Sequence, residues 1–157
     1  MTRFPRFLSL CACIGITAGS LTISPQANAM NAQEQAAFQP LQRFLDGLAK
    51  YDPALMREQA LPSFHATLMR DGKPQVLDLD GFLARLPKAS PTKLLEKTGT
   101  PSIHLDDNVG VIWVPYVFYV DDKPTHCGSN VVTVVQVDKR WLIASVADTA
   151  RKDCSTP

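Results

Sequence analysis

The stretch from residue 109 to 151 constrains the fold more than any other part of the chain. It reads as two consecutive β-hairpins built from NVGVIWVPYVFYV, a segment around TVVQV, and WLIASVADTA. The runs are rich in β-branched and aromatic residues, and the joints DDKP and VDKR are rich in turn formers. In the 109–120 strand both faces are apolar. Val109, Val111, Trp113 and Val117 fall on one, and Ile112, Val114, Phe118 and Val120 on the other. An antiparallel sheet with one wet face alternates apolar and polar residues. Both faces of this strand are therefore expected to be covered, one by helices and the other by a second copy of the chain.

Upstream, the pattern changes to helix. Ala37, Leu41, Phe44, Leu45 and Leu48 recur at three- and four-residue spacing within residues 31–50, and Asn31 with Glu34 has capping-box spacing. Pro40 predicts either a kink or a start near Phe38. Asp52-Pro53 opens a shorter helix through Ala60, ended by Pro62. A strand at residues 63–70, a turn at Asp71-Gly72 and a return strand from Gln75 to Leu79 follow. Asp80 is placed as the cap of a helix from Gly81 to Leu86, followed by a loop at 87–92. Leu94 to Leu105 is a strand interrupted at Thr98-Gly99-Thr100-Pro101. Helices early and strands late predict an α+β fold with helices on one face of a mostly antiparallel sheet.

The N-terminus has the features of an export signal. Arg3 and Arg6 precede an apolar run from Phe7 to Ile23, and Ala27-Asn28-Ala29 is an A-x-A cleavage signature. Residues 1–29 are accordingly expected to be a signal peptide, with residues 30–157 a single domain in the periplasm or outside the cell, free of the membrane after cleavage. The leader removes two arginines and no acids, leaving 14 basic against 15 acidic residues. That balance, with no block of like charge, argues against nucleic acid as a partner.

Cys11 and Cys13 leave with the leader, so the mature chain keeps Cys127 and Cys154. An even pair in an exported chain reads as a disulfide. If the last two strands pair around Asp138-Lys139-Arg140, residue 127 lies opposite roughly residue 151, which brings Cys154 close to bridging distance.

This order of elements resembles the nuclear transport factor 2-like (NTF2-like) superfamily, which includes the SnoaL-like polyketide cyclases. The resemblance is carried by Asp52-Pro53, Arg70-Asp71-Gly72-Lys73, the Val111-to-Tyr119 strand, His126-Cys127-Gly128 and Trp141-Leu142-Ile143; Cys154 fits an exported bacterial branch. It implies a cone of early helices on a strongly curved sheet, with a cavity between them. The superfamily holds ketosteroid isomerase, scytalone dehydratase, limonene epoxide hydrolase and polyketide cyclases beside members with no catalysis. None of those catalytic sets maps residue by residue onto this chain, so the resemblance implies a pocket and no particular reaction.

For that pocket the residues themselves offer Asp148 and Asn130. Asp148 follows Leu142, Ala144 and Val146 at period two, and a four-residue-type loop places it opposite Asn130, which continues Val134 and Val132. A carboxylate at such depth would be desolvated, as a general acid or base requires. Trp113, Tyr116 and Tyr119 are candidate aromatic lining; a one-residue slip exchanges which tyrosine faces inward. His126 completes the ligand-binding candidates. A His126–Cys127 dyad is excluded because adjacent strand residues point to opposite faces. His65, His104 and His126 share no metal-ligand spacing, and the paired aspartates sit in turns, so neither a metal nor a cofactor is implied. Three functions fit: a module binding a small apolar molecule, an isomerase, dehydratase or cyclase using Asp148 with a tyrosine or His126, and a non-catalytic dimerising interaction domain.

Overall fold

The structure, a computed structural model, describes residues 29–86 and 91–154. The signal-peptide expectation, apart from Ala29, and most of the 87–92 loop lie outside the described residues.

Helix α1 runs Ala32–Lys50 and begins at the expected capping box: Asn31 accepts from the backbone of Gln33 and Glu34, and Glu34 reaches back to the Asn31 N–H. The helix passes through Pro40 and does not begin near Phe38. Pro40 is buried with Ala37, Phe38, Leu41 and Phe44, so packing of that face outweighs the one missing backbone hydrogen bond. Gly47 has a packing reason: a Cβ there would lie 2.5 Å from the Met56 side chain. That contact lets α2, Pro53–Arg57, lie against the end of α1. Helix α2 is capped by Asp52 as expected but ends three residues earlier than Ala60.

Strand β1 is Ala60–Arg70, so Pro62 lies inside a strand and does not end a helix. It sits where the pairing of β1 shifts register between Ala60 and His65, an irregularity that tolerates a residue with no N–H. Strand β2, Lys73–Asp78, returns through Asp71-Gly72 with both turn residues left-handed, as a two-residue hairpin requires. Helix α3 spans Leu79–Leu83, and its cap is Asp78 rather than Asp80; Asp80 falls in the first turn and pairs with Arg57 instead.

The interrupted strand is two strands, β3 Leu94–Thr98 and β4 Ser102–Asp106, both paired with β5, Val109–Val120. Pro115 of β5 stands at the gap between them, where the Gly99 N–H donates to its carbonyl at 2.8 Å. Strands β6, Lys123–Val137, and β7, Arg140–Asp148, complete the expected hairpins. The turns at Asp121-Asp122 and Asp138-Lys139 are again left-handed at both positions.

The sheet order is β2-β1-β7-β6-β5-β3, with β4 on β5. All pairs are antiparallel except β1 with β7, a parallel contact that joins the early hairpin to the late sheet and that the sequence reading lacked. Helix α1 covers the inner face, where Phe64, Ala66, Ile112, Val114, Val132, Val134 and Ile143 form the core.

The β6–β7 register corrects the route to Asn130 and Asp148, though not the result. The turn has two residues, not four, with Val137 paired to Arg140. A bulge on β7 at Ala144, which has no partner between Thr133 and Val134 of β6, supplies the missing offset. Leu142 and Ala144 therefore do not share a face with Val146 and Asp148. Trp141 and Ile143 point inward before the bulge, and the period resumes at Val146.

Candidate functional site

A cavity of about 260 Å³ lies between α1, α3 and the concave face of the sheet. One wall is apolar: Leu41, Phe44, Leu45 and Leu48 come from α1, and Phe64, Leu68 and Phe82 close one side. The three phenylalanines pack together with centroids 5.6 to 6.0 Å apart. The opposite wall carries polar groups from five strands: Arg70, Glu96, Tyr116, His126, Asn130 and Asp148.

Asn130 and Asp148 are cross-strand partners, as expected, and both are buried. The isolated, desolvated carboxylate expected at 148 is not found there. Arg70 meets it in a two-pronged pair, Nη1 to Oδ1 and Nη2 to Oδ2, each 2.7 Å. The Met69 N–H adds a third donor at 3.1 Å. The pairing follows from the parallel β1–β7 contact, which sets Leu68 beside Asp148 and so brings Met69 and Arg70 to the carboxylate. Asp148 also raises the Arg70 guanidinium above its ordinary value by hydrogen bonding, against the opposing effect of burial.

Tyr116 donates to the Thr149 carbonyl at 2.9 Å, with Asp148 Oδ2 farther away at 3.4 Å. The Thr149 carbonyl can approach because residue 128 is glycine; a Cβ at Gly128 would lie 1.8 Å from that oxygen. Burial first, then the charges of Asp148 and Glu96, push the phenol well above its usual range. Tyr116 is therefore neutral at any physiological pH.

Glu96 is the carboxyl that the sequence reading missed. It lies on β3 opposite Phe118 of β5, which is opposite His126 of β6, so the three form a row across the sheet. Asn130 Nδ2 donates to Glu96 Oε1 at 2.7 Å, and among the described residues Oε2 has no hydrogen bond. Burial raises the Glu96 carboxyl from 4.5 to about 7, with Asp148 adding to the rise and Asn130 and Arg70 opposing it. His126 stacks on Phe118 at 5.0 Å and meets Tyr116 edge-on at 5.8 Å. Burial and then Arg70 lower its basicity, so the imidazole is neutral near pH 7.

Trp113 and Tyr119 are not in the cavity. With Ile112, Val114, Tyr116 and Phe118 facing inward, Trp113 falls on the outer face, where it is 53% exposed. Tyr119 lies under the Lys97 ammonium, 4.9 Å from its ring centroid, rather than in the lining. Cys127 and Cys154 are bonded, with Cα atoms 5.7 Å apart, and the Cys127–Arg151 bridge gives the expected neighbour. Two residues had faint signals in the sequence. Arg70 ended a strand beside a turn, and Glu96 was a lone acid at period two from Leu94.

This cone of helix on curved sheet with an internal cavity is the NTF2-like fold. No protein-family model matches the chain, and no curated protein matches it; solved structures do. An NTF2-like protein from Cytophaga hutchinsonii superposes with a TM-score of 0.64 at 11% identity, over 78% of this chain and 100% of that one. An NTF2-like protein of unknown function from Silicibacter pomeroyi gives 0.60 at 14% identity, over 78% and 100%. A Catenulispora acidiphila protein in complex with S-DNPA gives 0.64 at 13% identity, over 76% and 93%.

Proposed function

We propose that the chain is an exported binding module that holds a small, largely apolar molecule between helix and sheet. The observation that carries this reading is the two-sided cavity. An apolar wall from α1 and the phenylalanines faces polar side chains converging from five strands, the arrangement of a small-molecule site. Its volume of about 260 Å³ lies just below the roughly 300–1,000 Å³ of drug-sized sites and suits a compact ligand. The similar Catenulispora protein, in complex with S-DNPA, lends support to a small-molecule role. A thermal-shift screen of residues 30–157 against compact hydrophobic metabolites tests it; a saturable rise in Tm is expected. Substituting Leu48→Trp, which fills the cavity, should abolish that rise. A rise that survives L48W would place binding elsewhere.

A second reading, an acid–base enzyme of the isomerase, dehydratase or cyclase kind, is favoured by one observation. Glu96 titrates near neutrality in the cavity, where a group can both take and give a proton. On this reading Glu96 replaces Asp148 as the proton-exchanging group, because Asp148 is held by Arg70. Solvent-deuterium exchange into a bound carbonyl compound, abolished by E96Q, would mark this activity.

The mature chain is further proposed to form a homodimer through the outer sheet face. Val109, Val111 and Trp113 are exposed there and lie beside Val131 and Val135 of β6.

A further inference from the structure

The polar wall is unequally equipped, and the inequality bears on the ligand. Its donors are largely committed inside the protein. Tyr116 donates to Thr149, Asn130 Nδ2 to Glu96, and the Arg70 guanidinium to Asp148 and to the Met69 carbonyl. Its acceptors are open. Among the described residues neither Glu96 Oε2 nor Asn130 Oδ1 receives a hydrogen bond.

His126 joins the acceptors through its tautomer. Thr125 Oγ donates its only proton to the Phe118 carbonyl at 3.2 Å. The contact between that oxygen and His126 Nδ1, 3.1 Å, then needs the proton on Nδ1. Nε2 is left bare, as a neutral imidazole requires.

Charge points the same way. Arg70 and Asp148 cancel, so the uncompensated charge on the strand wall of the cavity is that of ionised Glu96. Asn130 of β6, Asp148 of β7 and Arg70 of β1 act on Glu96, and Tyr116 of β5 and His126 of β6 line the same wall. From α1 the lining is purely apolar, and Arg85 after α3 is exposed at the rim and bound to Gln75.

We infer that the cavity, if it is the binding site proposed above, is selective for a small apolar amine whose ammonium donates to Glu96 and the open acceptors beside it. A carboxylate of the same shape would meet acceptors and a negative charge, and would be excluded. A neutral alcohol would bind through shape and one donated hydrogen bond. Binding the ammonium requires ionised Glu96, so at pH 6 a proton must first leave it.

Three compact probes with one apolar body test this: 1-adamantanamine, 1-adamantanol and 1-adamantanecarboxylate, titrated calorimetrically into the mature chain at pH 6 and 8. The amine is expected to bind at least about 10-fold more tightly than the alcohol at pH 8, and the carboxylate not measurably. Amine affinity should fall roughly 10-fold at pH 6, with proton release seen as a dependence of the heat on buffer ionisation. In E96Q the preference for the amine over the alcohol should disappear, and with it the loss of amine affinity between pH 8 and pH 6. The wild-type pH dependence stands as a measurement free of any folding defect in the variant. Equal affinity for all three probes, a preferred carboxylate, or an amine preference that survives E96Q would overturn the charge selection and leave the binding module standing. No binding of any probe, to a cavity that also fails the hydrophobic screen, would overturn both.

Discussion

Asn130 and Asp148 face each other across β6 and β7, yet each is claimed by a different partner: Asn130 by Glu96 of β3, Asp148 by Arg70 of β1. The cross-strand pair thus joins two polar units on one wall, a compensated ion pair and a carboxyl held by a single hydrogen bond.

The ion pair is predicted to behave as a unit. Asp148 is only 7% exposed, and removing Arg70 would leave its charge without a counter-charge. R70M is expected to lower stability by about 2 kcal/mol in urea denaturation, below the roughly 3–5 kcal/mol for breaking a fully buried pair because Arg70 is 31% exposed. D148N should also destabilise, and the double variant should lose clearly less than the two single losses together. Additive losses would show that the two residues act independently.

Glu96 predicts a pH dependence of stability. Its folded value near 7 lies above the ordinary 4.5, so the native state holds this proton more tightly than the unfolded chain. Stability is therefore fully present below about pH 4.5, falls as pH rises, and reaches its lower level above about pH 7. The loss is at most about 3 kcal/mol. His126 acts in the opposite sense, because its folded value is lowered, and stability falls as pH drops below about 6.5. The difference between wild type and E96Q isolates the first effect. From pH 5 to 8 the wild type should lose stability relative to E96Q, and parallel curves would refute the assignment.

The Cys127–Cys154 bond closes a long loop around β6 and β7. Loop entropy assigns it roughly 3–4 kcal/mol, so the double Cys→Ser variant should unfold at markedly lower urea. Intact mass of material recovered from the periplasm should lack the two thiol hydrogens. Finding both thiols free there would remove the expectation of an exported, oxidised chain.

Dimerisation through the outer face has its own test. Trp113 lies at 53% exposure on β5, paired with Val131, so W113R should turn a dimer into a monomer with unchanged far-ultraviolet circular dichroism. V117R, four residues further along the same face, should do the same more weakly, since Val117 is already half-buried. Sedimentation of the unmodified chain as a monomer at high micromolar concentration would rule the interface out.

Local chemistry alone determined much of this protein. The capping box at Asn31, the Asp52-Pro53 start, the hairpin turns and the long strands could be read because each depends on neighbours a few residues away. The inward direction of Asn130 was likewise legible from its period with Val132 and Val134, and the disulfide from two cysteines and a turn. Tertiary structure decided the rest. The parallel contact of β1 with β7 joins residues some eighty positions apart, and no local pattern encodes which strand an early hairpin will meet; Arg70 reaches Asp148 only through it. The bulge opposite Thr133 and Val134 switched which residues of β7 face inward, because a single extra residue reverses a period of two. Glu96 shows the limit most directly. Its carboxylic acid is ordinary in sequence, and only burial among β5, β6 and the helix raises its pKa and makes it a candidate for the centre of the site.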